Sequence, residues 1–431
     1  MTLSTFAKLI IQAVVCVTTS SLSYAAYSSQ NKLIVLSTFS KGSLEVLADT
    51  FEQMYPDVDV EFIYRRTQSS VKLLSRGNRH NIDLILTSSP LLVQRLMHQN
   101  KISPIEYQAN IPDWLEKYVL LPPNEIDVFA YSGAGIVWNQ DYLKAHDLPV
   151  PNSVIELANP IYMEHLTMSP PSRSGTSQLM LESILSKHGW EEGWKIVMNI
   201  GANLGTVSSR SFTVSDYIAR GEFGLGITID THALLLQRNF DHLNFKYAEE
   251  FTLFPTYLAK LNKPSLNPSV DPFISMVHSK EFQTSLAQNA FSKTSLTDNS
   301  LHRDELPTLE LSNMMIREEL VNLIFDVAVT ERLPTLRELW ASILSLESDL
   351  QGRGSKNKLA HLKARLFSLP VSEADIQRLA LQLQSGENQE SAQNQLLTTK
   401  FAHNLNRQLR REMESIEQDI QYMKSANGLQ Q

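Results

Sequence analysis

The chain has 431 residues, of which 42% are hydrophobic and 19% charged, and its formal net charge is −8. That balance supports a globular chain of two or more domains and excludes a disordered or low-complexity polymer. The acidic sign argues against a nucleic-acid partner, although one pocket can still oppose the global charge.

The N-terminus reads as an export signal. Lys8 precedes the apolar run Leu9-Ile10-Ile11-Gln12-Ala13-Val14-Val15-Cys16-Val17, and Ser23-Tyr24-Ala25 places small residues where a signal peptidase reads. Residues 1–25 are therefore expected to be removed and the chain to work in the periplasm. The run falls short of the roughly 20 residues that span a bilayer. A lipoprotein would use Cys16, but bulky Val15 sits where a small residue is needed. Cys16 is the only cysteine, so the mature chain has neither disulfides nor thiolate metal ligands.

Between residues 32 and 300 short apolar runs alternate with helical patterns. Leu33-Ile34-Val35-Leu36 is a buried-strand run ending in the polar turn Ser37-Thr38-Phe39-Ser40-Lys41-Gly42. Leu44, Leu47, Ala48, Phe51 and Met54 then recur at helical spacing. Val58 to Phe62 alternates as a second strand, Ser70 to Arg76 forms a short helix, and Ile82 to Leu86 forms a third strand. This β-α-β-α-β order implies a parallel sheet with helices on its faces. Ligands of such sheets bind beyond the carboxyl ends of the strands. Those ends are polar here: Ser37-Thr38, Tyr64-Arg65-Arg66-Thr67 and Thr87-Ser88-Ser89-Pro90.

A second α/β unit follows. Leu166-Thr167-Met168 is a strand, Pro170 to Ser177 a turn, and Leu181, Ile184 and Leu185 mark one face of a helix that stops at Gly189. Gly224 to Asp230 is another strand with a polar end. Two such units predict a cleft between lobes. From about residue 310 glycine almost vanishes, and Leu320 to Phe325 and Leu336 to Leu344 read as amphipathic helices. Gly352-Arg353-Gly354-Ser355 is a hinge or turn, and Ser385 to Glu390 a polar linker. Leu397, Phe401, Leu405, Leu409, Met413, Ile416, Ile420 and Met423 form the apolar stripe of a last helix, which packs on the helical tail or on a partner chain. Self-association through that helix is one expectation. Arg407, Arg410 and Arg411 are its solvated face.

The strongest local signal is Pro171-Ser172-Arg173-Ser174-Gly175-Thr176-Ser177, a hydroxyl-rich turn opening a helix. Free amides and the positive dipole end make an anion site, with hydroxyls of Ser174, Thr176 and Ser177 as donors and Gly175 admitting an oxyanion. The same pattern also describes a plain N-cap at Ser174. Ser208-Ser209-Arg210-Ser211-Phe212 concentrates further donors, with Arg210 suited to bidentate oxyanion binding. Arg66 and Thr67 sit at a strand end, as does Asp230, which either accepts from ligand hydroxyls or caps the next helix. No phosphate loop, His-Glu-x-x-His metal motif, dinucleotide fingerprint or nucleophile elbow is present, and the histidines lack ligand spacing. No cofactor, metal or catalytic group is expected.

These residues carry a resemblance. Ser169 to Ser177, His188-Gly189-Trp190-Glu191-Glu192-Gly193-Trp194, Ser209-Arg210-Ser211-Phe212 and Gly226-Ile227-Thr228-Ile229-Asp230 are similar to the type 2 periplasmic solute-binding proteins grouped with ferric-iron transporters. Within that group the match is nearest the phosphoglycerate-regulatory and sugar-phosphate-binding subgroup. Ser132-Gly133-Ala134-Gly135-Ile136-Val137-Trp138-Asn139 resembles its crossover strands, and the likeness covers about residues 30 to 380. It implies two α/β lobes joined by crossover strands, closing on ligand by a hinge, followed by a helical C-terminal extension.

The division implied is lobe 1 at 26–135 plus 255–315, lobe 2 at 136–254, a helical region at 316–384, and a linker and amphipathic helix at 385–431. The implied anion-binding positions are Ser37, Thr38, Ser88, Ser89, Ser174, Gly175, Thr176, Ser177, Arg210 and Ser211, to which Arg66, Thr67, Ser132 and Asp230 are added from the strand ends. The implied function is capture of a small phosphorylated metabolite for presentation to a membrane sensor kinase or an ABC permease. Iron-binding members use paired tyrosines, and no two tyrosines are adjacent in this chain. A receptor for ferric iron or another oxyanion, and a secreted enzyme, are the alternatives.

Overall fold

The apolar runs become buried strands of two sheets in a computed structural model that describes residues 31–105, 111–122, 125–350, 356–385 and 391–429. The expected signal peptide, the Gly352–Ser355 turn and most of the 385–390 linker lie outside the described residues.

The first lobe opens with β1 (Asn31–Ser37), α1 (Lys41–Met54), β2 (Val58–Tyr64), α2 (Thr67–Ser75), β3 (Leu84–Thr87), α3 (Pro90–His98), β4 (Ile102–Ser103) and β5 (Asp127–Ser132). The stretch Leu33 to Leu36 of β1 is apolar because both of its faces are covered. Leu33 and Val35 enter one core, while Leu36 and Ile34 face the other. The second lobe holds β6 (Ala134–Asn139), β7 (Leu166–Met168), α4 (Gly175–His188), α5 (Trp190–Ala202), β8 (Leu204–Val207), α6 (Ser211–Ala219), β9 (Leu225–Ile229), α7 (Asp230–Gln237) and β10 (Leu243–Tyr247). The chain then returns to the first sheet through β11 (Phe254–Leu261) and β12 (Thr294–Ser295).

The first sheet runs β12-β5-β11-β3-β1-β2, with β4 also on β11, and the second runs β10-β6-β9-β7-β8. Strand β1 is parallel to β2 and β3, as the sequence implies. Both sheets are nevertheless mixed, not parallel: β11 is antiparallel to β3 and β5, and β6 to β9 and β10. The cause is the pair of crossovers, which deliver each returning strand into the sheet interior. The second sheet starts at Ala134 and the first resumes at Phe254, ahead of the boundaries at 136 and 255 read from the sequence. This is the type 2 periplasmic binding protein fold with a helical C-terminal region.

That region comprises α8 (Leu311–Phe325), α9 (Leu333–Asp349), α10 (Lys356–Leu366), α11 (Glu373–Ser385) and α12 (Ser391–Ala426). It is not a separate unit. Ile184, Trp194 and Ile200 of lobe 2 share one core with Ile324, Phe325, Leu336, Trp340 and Ile343 of the tail. On α12, Leu405, Leu409, Met413, Ile416, Ile420 and Met423 are buried in that same core. The stripe expected to serve self-association is thus covered by the chain's own helices. Arg365 holds α12 down through Glu412 at 2.6 Å and Asp419 at 2.5 Å. No helix among the described residues is long and apolar enough to cross a membrane.

Arg317 on α8 joins the buried Glu182 of α4 at 2.5 Å and Glu373 of α11 at 2.5 Å, over the Trp190 ring. Burial pushes the Glu182 carboxyl up from its ordinary pKa, and Arg317 opposes that shift. Arg317→Ala leaves Glu182 buried and unpaired and is expected to cost about 3–5 kcal/mol. Urea unfolding measures the loss, and Glu182→Leu in the same background is expected to recover part of it.

Candidate ligand-binding cleft

In both sheets the helix after each parallel strand starts at the strand's carboxyl end, and these helix starts meet across the gap between the lobes. Arg66 and Thr67 of α2, Ser88 and Ser89 ahead of α3, and Ser40 and Ser43 of α1 line the cleft from lobe 1. Arg173 to Thr176 at α4, Arg210 to Phe212 at α6, and Ile229, Thr231 and His232 at α7 line it from lobe 2. The first amides of each helix have no acceptor inside it and carry its positive dipole end. A cavity of about 100 Å³ that gathers such ends from both lobes is suited to a small anion.

The side chains add to that field. Arg66, Arg173, Arg210 and Lys293 all line the cavity, and no carboxylate is among the described residues lining it. Arg210 lies over the Tyr64 ring, 4.4 Å from its centroid, so a lobe-2 cation rests on a lobe-1 aromatic. Its pKa is lowered by burial. Lys293 is fully buried against Phe39, with Nζ 4.6 Å from the ring centroid, and donates to Ser132 Oγ at 2.7 Å. Burial pushes its pKa down to about 8, while Asp230 opposes the shift. The Ser88 hydroxyl is buried without a hydrogen-bond partner.

The turn at Ser174 caps α4 and also stands on the cavity wall. Ser174 Oγ accepts from Ser177 N at 3.2 Å, an N-cap, while also bonding Thr176 Oγ1 at 2.8 Å at the cavity wall. Gly175 also lets the lobes meet. A Cβ there would stand 3.2 Å from Thr67 Oγ1 and 3.4 Å from Ser89 Cβ, so the missing side chain lets the opposite lobe approach. Thr38 bonds Thr87 across the strand ends, Oγ1 to Oγ1 at 2.9 Å, and faces the cavity.

Thr38, Arg66, Thr67, Ser88, Ser89, Ser174, Gly175, Thr176, Arg210 and Ser211 are brought together on the cavity wall; Ser37, Ser132, Ser177 and Asp230 are not. Ser37 Oγ accepts from Phe39 N in its own turn. Ser177 is buried away from the cavity wall. Ser132 and Asp230 belong to the hinge. Asp230 accepts from the Gly133 amide at 2.7 Å and the Tyr247 hydroxyl at 3.2 Å, tying together both crossovers. Burial raises its pKa, and Lys293 pulls the other way. Arg173 and Phe212, inside the two hydroxyl-rich motifs, also line the cavity. Lys293 carried no local signal, since its position depends on the chain's return to lobe 1. His232 pairs with Asp216 at 2.8 Å.

Comparison with known proteins agrees with this architecture. The family model described as bacterial extracellular solute-binding protein matches residues 80–314. The chain is 33% identical over 359 residues to the phosphoglycerate transport regulatory protein PgtC of Salmonella typhimurium, covering 81% of this chain and 88% of that one. Among solved structures, the periplasmic binding protein AfuA from Actinobacillus pleuropneumoniae, with fructose-6-phosphate bound, superposes with a TM-score of 0.60 at 17% identity, covering 70% of this chain and 99% of that one. Iron-bound HitA from Pseudomonas aeruginosa does so with a TM-score of 0.53 at 16% identity, covering 67% and 99%. The chain belongs to the bacterial extracellular solute-binding protein family.

Proposed function

We propose that this protein captures a small phosphorylated metabolite, phosphoglycerate-like or a sugar phosphate, between its lobes and presents it to a membrane partner. The observation that carries this reading is the cleft lined by Arg66, Arg173, Arg210 and Lys293 with no described carboxylate, at a junction of helix N-termini. Such a site replaces the hydration of a multiply charged oxyanion from both sides, so ligand favours the arrangement in which the lobes meet. The 33% identity to the Salmonella phosphoglycerate transport regulatory protein supports the same ligand class. Ferric iron needs anionic oxygen ligands, and the lining offers one phenol, Tyr64. The cleft holds and releases its ligand without chemistry, the partner being a sensor kinase ectodomain or an ABC permease. Export by residues 1–25, cleaved after Ala25, delivers the chain to the periplasm.

A thermal-shift panel of 3-phosphoglycerate, 2-phosphoglycerate, phosphoenolpyruvate, glucose 6-phosphate, inorganic phosphate and ferric citrate tests the class. A phosphorylated metabolite at 100 times its Kd is expected to stabilise the chain by about 2.7 kcal/mol. A response to ferric citrate alone would sink the reading. Arg210→Ala removes a charged donor worth about 1.5–3 kcal/mol, so calorimetry is expected to show affinity falling by about 10- to 150-fold.

The Lys293 ammonium is protonated below its pKa of about 8 and loses its charge above it. Anion affinity is therefore expected to hold at pH 7 and decline as pH rises past about 8, over a range in which a phosphate monoester stays dianionic. Titrations from pH 7 to pH 9.5 check this, and Lys293→Met is expected to bind more weakly with a flat profile.

A further inference from the structure

The tail is fused to lobe 2 through a common core, yet one of its helices also grips lobe 1. Glu318 on α8 meets Arg95 on α3 at 2.6 Å, and the Glu318 side chain is 7% exposed. Leu91, one turn before Arg95 on the same face of α3, is 3% exposed and belongs to the lobe-2 and tail core, not to its own lobe's. Asn322, one turn after Glu318 on α8, lines a small cavity at this seam with Leu91 of lobe 1 and Gln178 of lobe 2. Three parts of the chain therefore converge beside the ligand turn. The same α3 is capped by Ser89, which lines the cleft. One rigid helix thus carries a ligand-facing end and a tail-facing flank.

Opening the hinge moves lobe 1 away from lobe 2, and the tail travels with lobe 2. The Arg95–Glu318 pair and the Leu91 contact must then break. We propose that α8 is a latch: Glu318 and the pocket for Leu91 are positioning elements that hold lobe 1 in the closed arrangement from outside the cleft, and so set how long a ligand stays. This goes beyond ligand identity, since it applies whichever anion the cleft takes. The latch acts on dissociation because breaking a part-buried charge pair falls on the opening step, while encounter with the open cleft does not involve it.

The test places spin labels on exposed sites of the two lobes, Asp57→Cys and Asp241→Cys with Cys16→Ser, in the full chain. Interlobe distances are measured with and without saturating 3-phosphoglycerate. Glu318→Gln, which keeps shape and removes charge, and Leu91→Ala are each expected to shift the distribution to longer distances, with circular dichroism unchanged. The same variants are expected to release 3-phosphoglycerate about tenfold faster with association unaltered. A wild-type chain that sits open in both conditions would overturn the latch, as would folded variants that match its distances in both. If 3-phosphoglycerate does not bind the wild type, the ligand reading fails by itself, and the ligand-free distances still decide the latch.

Discussion

Both segments that join the lobes are tied to one buried carboxylate. Asp230 takes the amide of Gly133, where the chain enters lobe 2, and the hydroxyl of Tyr247, where it leaves. A Cβ at Gly133 would stand 2.6 Å from the Tyr247 ring, so glycine is what allows the two crossovers to lie side by side. An ionised carboxylate in such a place requires compensation, which Lys293, also reaching Ser132 at the end of β5, supplies. The hinge is thus a polar network in an apolar setting, and its positive member opens onto the cleft. Ligand charge and hinge geometry meet at that lysine. The proposed anion would therefore act on the group that braces the crossovers.

On the proposed function, an acidic protein holds an anion. The net charge of −8 is spread over the surface, where water and salt screen it within about a Debye length of 8–10 Å. Arg66, Arg173, Arg210 and Lys293 share a confined space where screening is weaker, and helix dipoles of both lobes add to them. Four cations at close quarters repel one another, so the lobes resist approach unless something offsets the repulsion. Arg210 resting on Tyr64 relieves part of it, and a bound oxyanion relieves more.

Much of this was legible in the sequence because its signals are local. The run Leu33 to Leu36 has to be buried on both faces, and the hydroxyl-rich turn before Leu181 has to open a helix. Those two facts already place Thr38 and Ser174 to Thr176 at strand ends beside a cleft. What escaped depends on contacts distant in sequence. Lys293 lies in an irregular stretch whose meaning arises only after β11 has carried the chain back to lobe 1. Asp230 ends a strand as a ligand-binding acid would, and only the return of β10 beside β6 makes it a hinge brace. The mixed sheets were hidden for the same reason: apolar periodicity reports that a strand is buried, not which neighbour it acquires or in which direction.

The tail shows the same limit from the other side. Its helical periodicity was plain, but an apolar stripe does not specify what covers it. The structure spends the stripe of α12 on the chain's own core and leaves α8 with two attachments of unequal strength. Toward lobe 2, α8 contributes whole apolar faces plus the buried Arg317–Glu182 pair. Toward lobe 1 it offers the Glu318–Arg95 pair, a seat for Leu91 and, at its first residue, Leu311 against the lobe-1 core. That inequality is what a moving part needs: the strong side stays attached while the weak side parts when the hinge opens. Because the weak side lies on α3, whose N-cap Ser89 lines the cleft, the proposed latch places the helical region mechanically downstream of ligand capture. Any partner that touches the tail would meet a surface whose relation to lobe 1 differs between open and closed forms.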